Sequence, residues 1–412
     1  MKVLIAGAGL GGLALALALQ RRGIDFVAFD IAQELKPLGV GINLLPHAVG
    51  ELAEFDIIDA IEAASVKTRD LRYVNKFGQY IISELRGRYA GHELSQYSIH
   101  RGTLHGIMLA AVRQRAGADA VREGHGFVSF TQNAGEVIAR FRRSDGSVVE
   151  AAGDVLVGAD GIHSMVRAQL HPNDGGMLWN GTMMWRGTID WPIFDGGDTM
   201  IVSGDMKEKI LYYPIAKGSK PGTMLTNWVL CGEVSKGISP PPERESWSRR
   251  GTMERAYPFA KNFKLPDLNV LDLIEATPEF FEYPMCDREP LTAWGTGRVT
   301  LLGDAAHPMY PVGSNGAAQS IIDGKRLGHF LELHEPIEAI RAYELERIPI
   351  TSGLVRSNRL GGPERVVDVV SERAPNGFEK LEDVISRDEL IAISKGYAKM
   401  AGFAIKETAS GQ

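Results

Sequence analysis

The first chemistry legible in the chain lies in six residues near its start, Gly7-Ala8-Gly9-Leu10-Gly11-Gly12. Gly7, Gly9 and Gly12 fit the spacing GxGxxG. In that pattern the first glycine permits a tight turn, the second lets backbone approach a pyrophosphate, and the third packs a helix closely on a strand. The phosphate charge then sits at a helix N-terminus, where unpaired N–H groups and the macrodipole favour an anion. Asp30 closes the next apolar segment, where a carboxylate suits the hydroxyl pair of a ribose. The pattern alone does not separate NAD from FAD. Two further aspartates follow short apolar runs, in VLVGADGIHSMVR (155–167) and VTLLGDAAHPMYPVGSNGAA (299–318). Ligands of parallel sheets bind beyond the carboxyl ends of the strands. Asp160 and Asp304 are therefore expected at the same crevice as Gly9, with a helix N-cap as the other use of either.

The elements that must position these groups follow from the apolar pattern. Residues 2–6 read as a buried parallel strand, Leu13 to Arg22 as an Ala/Leu-rich helix stopped by Gly23, and 25–29 as a second strand. Residues 103–116 read as an amphipathic helix. Residues 136–143 and 147–151 form a hairpin about Asp145-Gly146. Between about 178 and 232, short runs rich in Met, Trp, Tyr and Val alternate with Gly and Pro turns, which predicts a mostly antiparallel sheet. Residues 239–245 (SPPPERE) read as a surface loop, and 316–333 and 335–359 as helices. The tail after 363 reads as helical, fraying after 405. The fold class is α/β: a Rossmann-like nucleotide-binding domain (1–175 and 285–360), an inserted mostly antiparallel β-sheet domain (176–284), and a C-terminal helical tail (361–412).

Composition narrows the rest. The chain has 412 residues, 44% hydrophobic and 23% charged, with 45 Lys+Arg against 51 Asp+Glu. A net charge of -6 argues against a nucleic-acid partner. Cys231 and Cys286 are the only cysteines, with no CxxC spacing, so neither a disulfide framework nor a metal site is expected. The N-terminal apolar run is punctuated by glycines and lacks a cleavage signature. No run approaches the ~18 apolar residues of a membrane span. A cytoplasmic monomer or homodimer with no membrane partner is the expectation.

Taken together, GAGLGG, ADGIHSMVR and GDAAHPMYPVGSNGA, in that order, resemble the single-component (class A) FAD-dependent aromatic monooxygenases, the para-hydroxybenzoate hydroxylase-like group. QYSIHRG (96–102), MMWRG (183–187), TNWV (226–229) and YPMCDREPL (283–291) are similar to the phenazine-modifying (5-methylphenazine-1-carboxylate) monooxygenases. The resemblance covers residues 2 to about 350.

It implies non-covalent FAD, with NADH or NADPH as a transient co-substrate, dioxygen, and a small aromatic or N-heteroaromatic substrate hydroxylated through a flavin C4a-hydroperoxide. Gly7, Gly9, Leu10, Gly11 and Gly12 would surround the pyrophosphate, with Asp30 on the adenosine ribose, where the family usually has Glu. Arg101 would face the phosphate and ribityl region, Phe127 would give a backbone contact to adenine, and Asp160 belongs to the motif shared with the nicotinamide cofactor. Asp304 would hold the ribityl chain. Gly313, Ser314, Asn315, Gly316 and Ala317 would face the flavin pyrimidine edge, where negative charge grows on reduction, and Gly41 and Ile42 would flank the ring. Pro311 would stand beside the reacting centre, with Arg186 and Tyr213 as further catalytic candidates. Met184, Trp185, Tyr212 and Met309 would line the substrate pocket. His307 is placed as a structural part of the GDAAH motif rather than a base. A flavin epoxidase, a decarboxylating hydroxylase and a non-catalytic flavin-binding sensor are the alternatives on the same scaffold.

Overall fold

The computed structural model describes residues 1–412 except 37, 38, 239, 243–248, 403 and 405–412. Most of the loop 239–245 therefore lies outside the described residues, as does the end of the tail.

Val3, Leu4, Ile5 and Val155, Leu156, Val157 are fully buried. Such side chains need cover on both faces, which a parallel sheet between helices supplies. The sheet has five strands in the order Val299–Leu301, Val155–Gly158, Lys2–Ala6, Asp25–Phe29, Val121–Arg122, all parallel. The helix Leu10–Arg21 is buried from Leu10 through Leu19. Its Ala and Leu side chains pack between this sheet and the long helix Gly316–Leu333. The helix ends where expected, with Gly23 in the left-handed region at φ 64°. The amphipathic helix spans Arg101–Ala116, and Val137–Arg143 and Val148–Gly153 form the hairpin about Asp145-Gly146.

A seven-stranded sheet forms the second layer, in the order Phe280–Asp287, Leu178–Pro192, Thr223–Glu233, Glu208–Lys217, Thr199–Gly204, Asp70–Val74, Tyr80–Leu85. Its pairings are antiparallel except that of Thr199–Gly204 with Asp70–Val74. The last two strands come from a part of the chain that precedes the inserted region, and Phe280–Asp287 runs past residue 284. The sheet thus does not follow the boundaries 176 and 284. A small sheet of Gly41–Leu44, Tyr97–His100 and Ser65–Lys67 joins the two layers.

The two faces of the seven-stranded sheet have different cover. One packs Trp179, Trp185, Tyr212 and Trp228 beneath the helices Met253–Ala260 and Val270–Ala276. The other is shared. Part of it packs on Val366, Val367, Val369 and Val370 of the helix Arg365–Arg373, and part faces the nucleotide-binding layer across a cavity. The tail is therefore part of the sheet's packing. It ends in the helix Arg387–Ala401.

Candidate active site

The glycine turn separates into two kinds of position. A Cβ on Gly7, which has φ +109°, would lie 2.2 Å from Ala159 O, and one on Gly12 would lie 2.0 Å from Gly7 O. These glycines seat the helix on the strand. At Gly9 a Cβ would meet nothing within 4 Å. Gly9, Leu10 and Gly11 line a cavity of about 260 Å³ between the layers. The first turn of Leu10–Arg21 carries no side-chain cap, so its leading N–H groups remain available at the cavity wall. Asp30 stands behind the turn. Its carboxylate accepts from Ala8 N at 2.8 Å and Ala32 N at 2.9 Å. His105 Nε2 donates to Ala8 O at 2.7 Å, a support not foreseen from sequence.

The two later aspartates part company. Asp160 turns away from the cavity and accepts from Ser164 Oγ at 2.5 Å, Met165 N at 2.7 Å and Val166 N at 3.2 Å. It takes up the first two N–H groups of the helix Met165–Leu170, whose N-cap is Ser164, so the side chain supports the helix start rather than lining the cavity. Neighbouring Ala159, Gly161 and Ile162 line the cavity instead. Asp304 does open into the cavity, beside Arg101. Burial raises the Asp304 carboxyl while His307 and Arg101 hold it down; burial lowers Arg101 while Asp304 raises it. His307 lies behind this wall. Its Nε2 is 2.5 Å from Asp323 Oδ2, and Arg347 Nε donates to Asp323 Oδ1 at 2.7 Å. Burial pushes Asp323 up, but these two neighbours win and bring it down to about 2. Asp323 Oδ2 also accepts from Gly303 N at 2.9 Å, so the cluster braces the turn that presents Asp304.

Pro311, Ser314, Gly316 and Ala317 line the cavity. Gly313 and Asn315 face the other way, toward the C-terminal helix. Gly41 and Ile42 stand on the opposite wall. Gly41 is clamped by the substrate-side sheet: its N–H donates to Asn227 Oδ1 at 2.7 Å and its carbonyl accepts from Arg186 Nη2 at 3.2 Å. A Cβ there would lie 2.7 Å from Asn227 Cβ. Phe127 is not on the cavity wall. It pairs with Phe141 in the hairpin sheet, their rings edge-on at 5.9 Å.

Strand alternation decides the sheet wall, because successive side chains point to opposite faces. Met184 and Arg186 face the cavity; Trp185 between them packs on the far face, its Nε1 donating to Glu282 Oε2 at 2.9 Å. Tyr213 faces the cavity, and Tyr212 packs on Phe194 on the far face. The expectation that Trp185 and Tyr212 line the pocket is therefore corrected. Met309 is on the cavity wall. Sequence reasoning missed Lys209 and Glu364, a buried ion pair on the cavity wall. It also missed Tyr283, which accepts from Arg186. Lys209 was legible by alternation, since it shares a strand face with Leu211 and Tyr213. Glu364 carried no signal, because the tail is far away in sequence. Burial pushes the Tyr213 hydroxyl well above its ordinary value and the Cys231 thiol up to about 11. Both stay protonated at neutral pH.

Open backbone at a helix start, an acid–base pair beyond it, and an amide-rich loop opposite a clamped glycine make an elongated site for a dinucleotide. The FAD binding domain family matches residues 1–358. The chain belongs to that family. Among its relatives, phenazine 1,6-dicarboxylic acid hydroxylase PhzS of Lysobacter antibioticus is 42% identical over 87% of this chain and 89% of its own length. 3-Hydroxybenzoate 6-hydroxylase 1 of Aquipseudomonas alcaligenes is 30% identical over 85% and 86%. The crystal structure of Klebsiella pneumoniae HpxO complexed with FAD and uric acid shares the fold, with a TM-score of 0.71 at 22% identity over 98% of this chain and 93% of that one. The protein is a flavin-dependent monooxygenase with FAD as its cofactor. The residues present fit FAD, because Gly9, the glycine of the turn 7–12 with open space above it, borders the cavity that Asp304 and Arg101 also border. No helix among the described residues is long and apolar enough to cross a membrane.

Proposed function

We propose that the protein hydroxylates an N-heteroaromatic acid of the phenazine type, with NAD(P)H as reductant and dioxygen as oxidant. A carbon–hydrogen bond of the ring becomes a carbon–hydroxyl bond, the second oxygen atom leaves as water, and NAD(P)H with one proton supplies the two reducing equivalents. The observation that carries this reading is the cavity face of the sheet. Met184, Leu211, Val229 and Met285 form an apolar wall, on which stand the Arg186 guanidinium and the Lys209–Glu364 ion pair. That combination suits a planar ring system bearing carboxylates. The relative named for a phenazine dicarboxylic acid points to the same class.

Bound FAD supplies hydride acceptance and oxygen activation. The chain's own groups supply the rest. The N–H groups after Gly9 and the helix dipole receive the pyrophosphate. Asp30 keeps free lone pairs for the adenosine ribose, and Arg101 and Asp304 hold the phosphate and ribityl region. The amides of 314–317 face the pyrimidine edge and stabilise negative charge there. Gly41, held from both sides by Asn227 and Arg186, fixes the opposite wall, and Pro311 closes the ring against solvent. Tyr213 remains a hydrogen-bond donor to the substrate, because burial keeps its proton in place. Lys209 and Arg186 orient the carboxylates, and Glu364 accepts from a ring hydroxyl or N–H.

The test is a screen of benzoic, nicotinic and phenazine carboxylic acids for stimulated NADH and NADPH oxidation, with product mass. A phenazine acid should stimulate oxidation and return a product one oxygen heavier. Absence of stimulation by every acid, with FAD bound, refutes the reading.

A further inference from the structure

The helix Arg387–Ala401 lies beyond the residues matched to the family, yet it reaches the loop behind the cavity wall. Tyr397 on this helix is only 4% exposed. Its hydroxyl accepts from Asn315 Nδ2 at 2.9 Å. The same O–H has two acceptors in reach, Asn358 Oδ1 at 3.1 Å and Val312 O at 3.3 Å. All of these partners sit in or beside the loop 311–317.

That loop has an unusual backbone. Gly313 has φ 67° and Ser314 φ 59°. Two successive left-handed residues, the second bearing a Cβ, persist only where the surroundings hold them. Asn315 then returns to the right-handed region at φ -93° and ψ -20°, and such a change of hand between neighbours gathers backbone N–H groups into an anion-binding concavity. Holding groups are present. A Cβ on Gly313 would lie 2.5 Å from the Tyr397 hydroxyl oxygen, so the phenol closes directly on the turn. Glu364 Oε1 accepts from Gly313 N at 3.3 Å, and Asn43 Nδ2 donates to Ser314 Oγ at 3.2 Å. Tyr397 is the member of this set that bridges the turn at Val312 and Asn315 to the helix Pro336–Arg359 through Asn358.

We propose that Tyr397 is a positioning residue for the flavin: it holds 312–315 in the left-handed turn that aims the following amides at the pyrimidine edge, and so sets the reduction potential. The inference rests on the placement of the flavin ring against this loop argued above. Electron density gained on reduction is stabilised by those amides, so a loosened turn disfavours the reduced form. Tyr397 touches neither ligand; it acts through Asn315 and Val312.

Tyr397→Phe in the holoenzyme keeps the ring over Gly313 and removes only the hydroxyl. The readout is the two-electron potential of the bound flavin against a reference dye. The ratio of reduced to oxidised flavin at a fixed potential should fall about tenfold, equivalent to about 30 mV for two electrons. Asn315→Ala should give a shift of similar size, and the double variant no more than either alone, because both act through one contact. A merely structural role would lower the melting temperature and leave the potential unchanged. A shift in the ratio of less than twofold in Tyr397→Phe, or full additivity with Asn315→Ala, overturns the proposal. Ala317→Asp separates it from the reading it rests on. A carboxylate on that cavity wall lowers the potential or expels FAD whenever the flavin lies there, with Tyr397 intact. If Ala317→Asp changes neither, the placement of the flavin fails and this inference falls with it. If Ala317→Asp acts and Tyr397→Phe does not, only this inference falls.

Discussion

Gly9→Ala places a methyl group where no protein atom lies within 4 Å. The backbone there has φ -70° and ψ -174°, which an alanine adopts without strain. Two small effects on the apoprotein oppose each other. Alanine restricts the unfolded chain, worth about 0.4–1 kcal/mol in favour of folding, and it is a poorer N-cap than glycine by roughly as much. Apoprotein stability should therefore change by less than about 1 kcal/mol, a melting shift of no more than about 1 °C for a chain of this size. The ligand has no such compensation. A methyl group in a close approach costs about 1–3 kcal/mol, so FAD should bind about 5- to 150-fold more weakly. Gly12→Ala is the contrast. Its methyl group would lie 2.0 Å from Gly7 O, so it should destabilise the apoprotein itself. Apoprotein prepared by flavin removal is titrated with FAD by fluorescence, and melted without it. Unchanged FAD affinity in Gly9→Ala would show that the pyrophosphate lies elsewhere. A poorly folded Gly9→Ala apoprotein would show that the turn is packed differently.

Asp304→Ala removes a carboxylate that opens into the cavity; losing a charge-assisted hydrogen bond of about 1.5–3 kcal/mol should weaken FAD roughly ten- to a hundredfold in the same titration. Asp323→Asn strips the buried partner of His307 and Arg347 and should cost about 3–5 kcal/mol at neutral pH in urea melts. Because the Asp323 carboxyl is held down to about 2, about 2.6 kcal/mol of that contribution is present above about pH 4 and lost as pH falls toward 2, so the gap between wild type and variant should narrow by about that much in acid. Lys209→Met leaves Glu364 charged and buried without its ammonium and should destabilise by a similar amount. Lys209→Met with Glu364→Met restores a matched apolar pair at little net cost, but should raise KM for a substrate carboxylate at least tenfold while sparing its carboxamide.

The motifs near the cofactor were legible because each is local. A strand, a glycine turn and a helix start occupy a dozen residues, and Gly9 and Asp304 arrive at one cavity as the parallel-sheet rule requires. Asp160 was ambiguous for the same local reason. A carboxylate after a strand serves a ligand or the next helix equally well, and only the three bonds around Ser164 decide. The substrate wall was half legible. Choosing Met184, Trp185 and Arg186 together ignored that neighbours in a strand cannot share a face; alternation alone separates Met184 and Arg186 from Trp185, and Tyr213 from Tyr212. Lys209 follows from the same rule. Glu364, Asn227 and Tyr397 depend on contacts between segments distant in sequence, and no periodicity carries that information. The same limit hid the recruitment of Asp70–Val74 and Tyr80–Leu85 into the larger sheet.

The central claim is that dioxygen is activated on FAD in this cavity and one of its atoms is delivered to an aromatic acid lying on the sheet wall. The direct test is turnover of a phenazine carboxylic acid under oxygen-18 gas with NADH or NADPH, followed by product mass. One heavy oxygen atom per product molecule, at one NAD(P)H consumed, is the predicted result. Reductant consumed with only peroxide formed and no label in the ring, or label arriving from water, would contradict it.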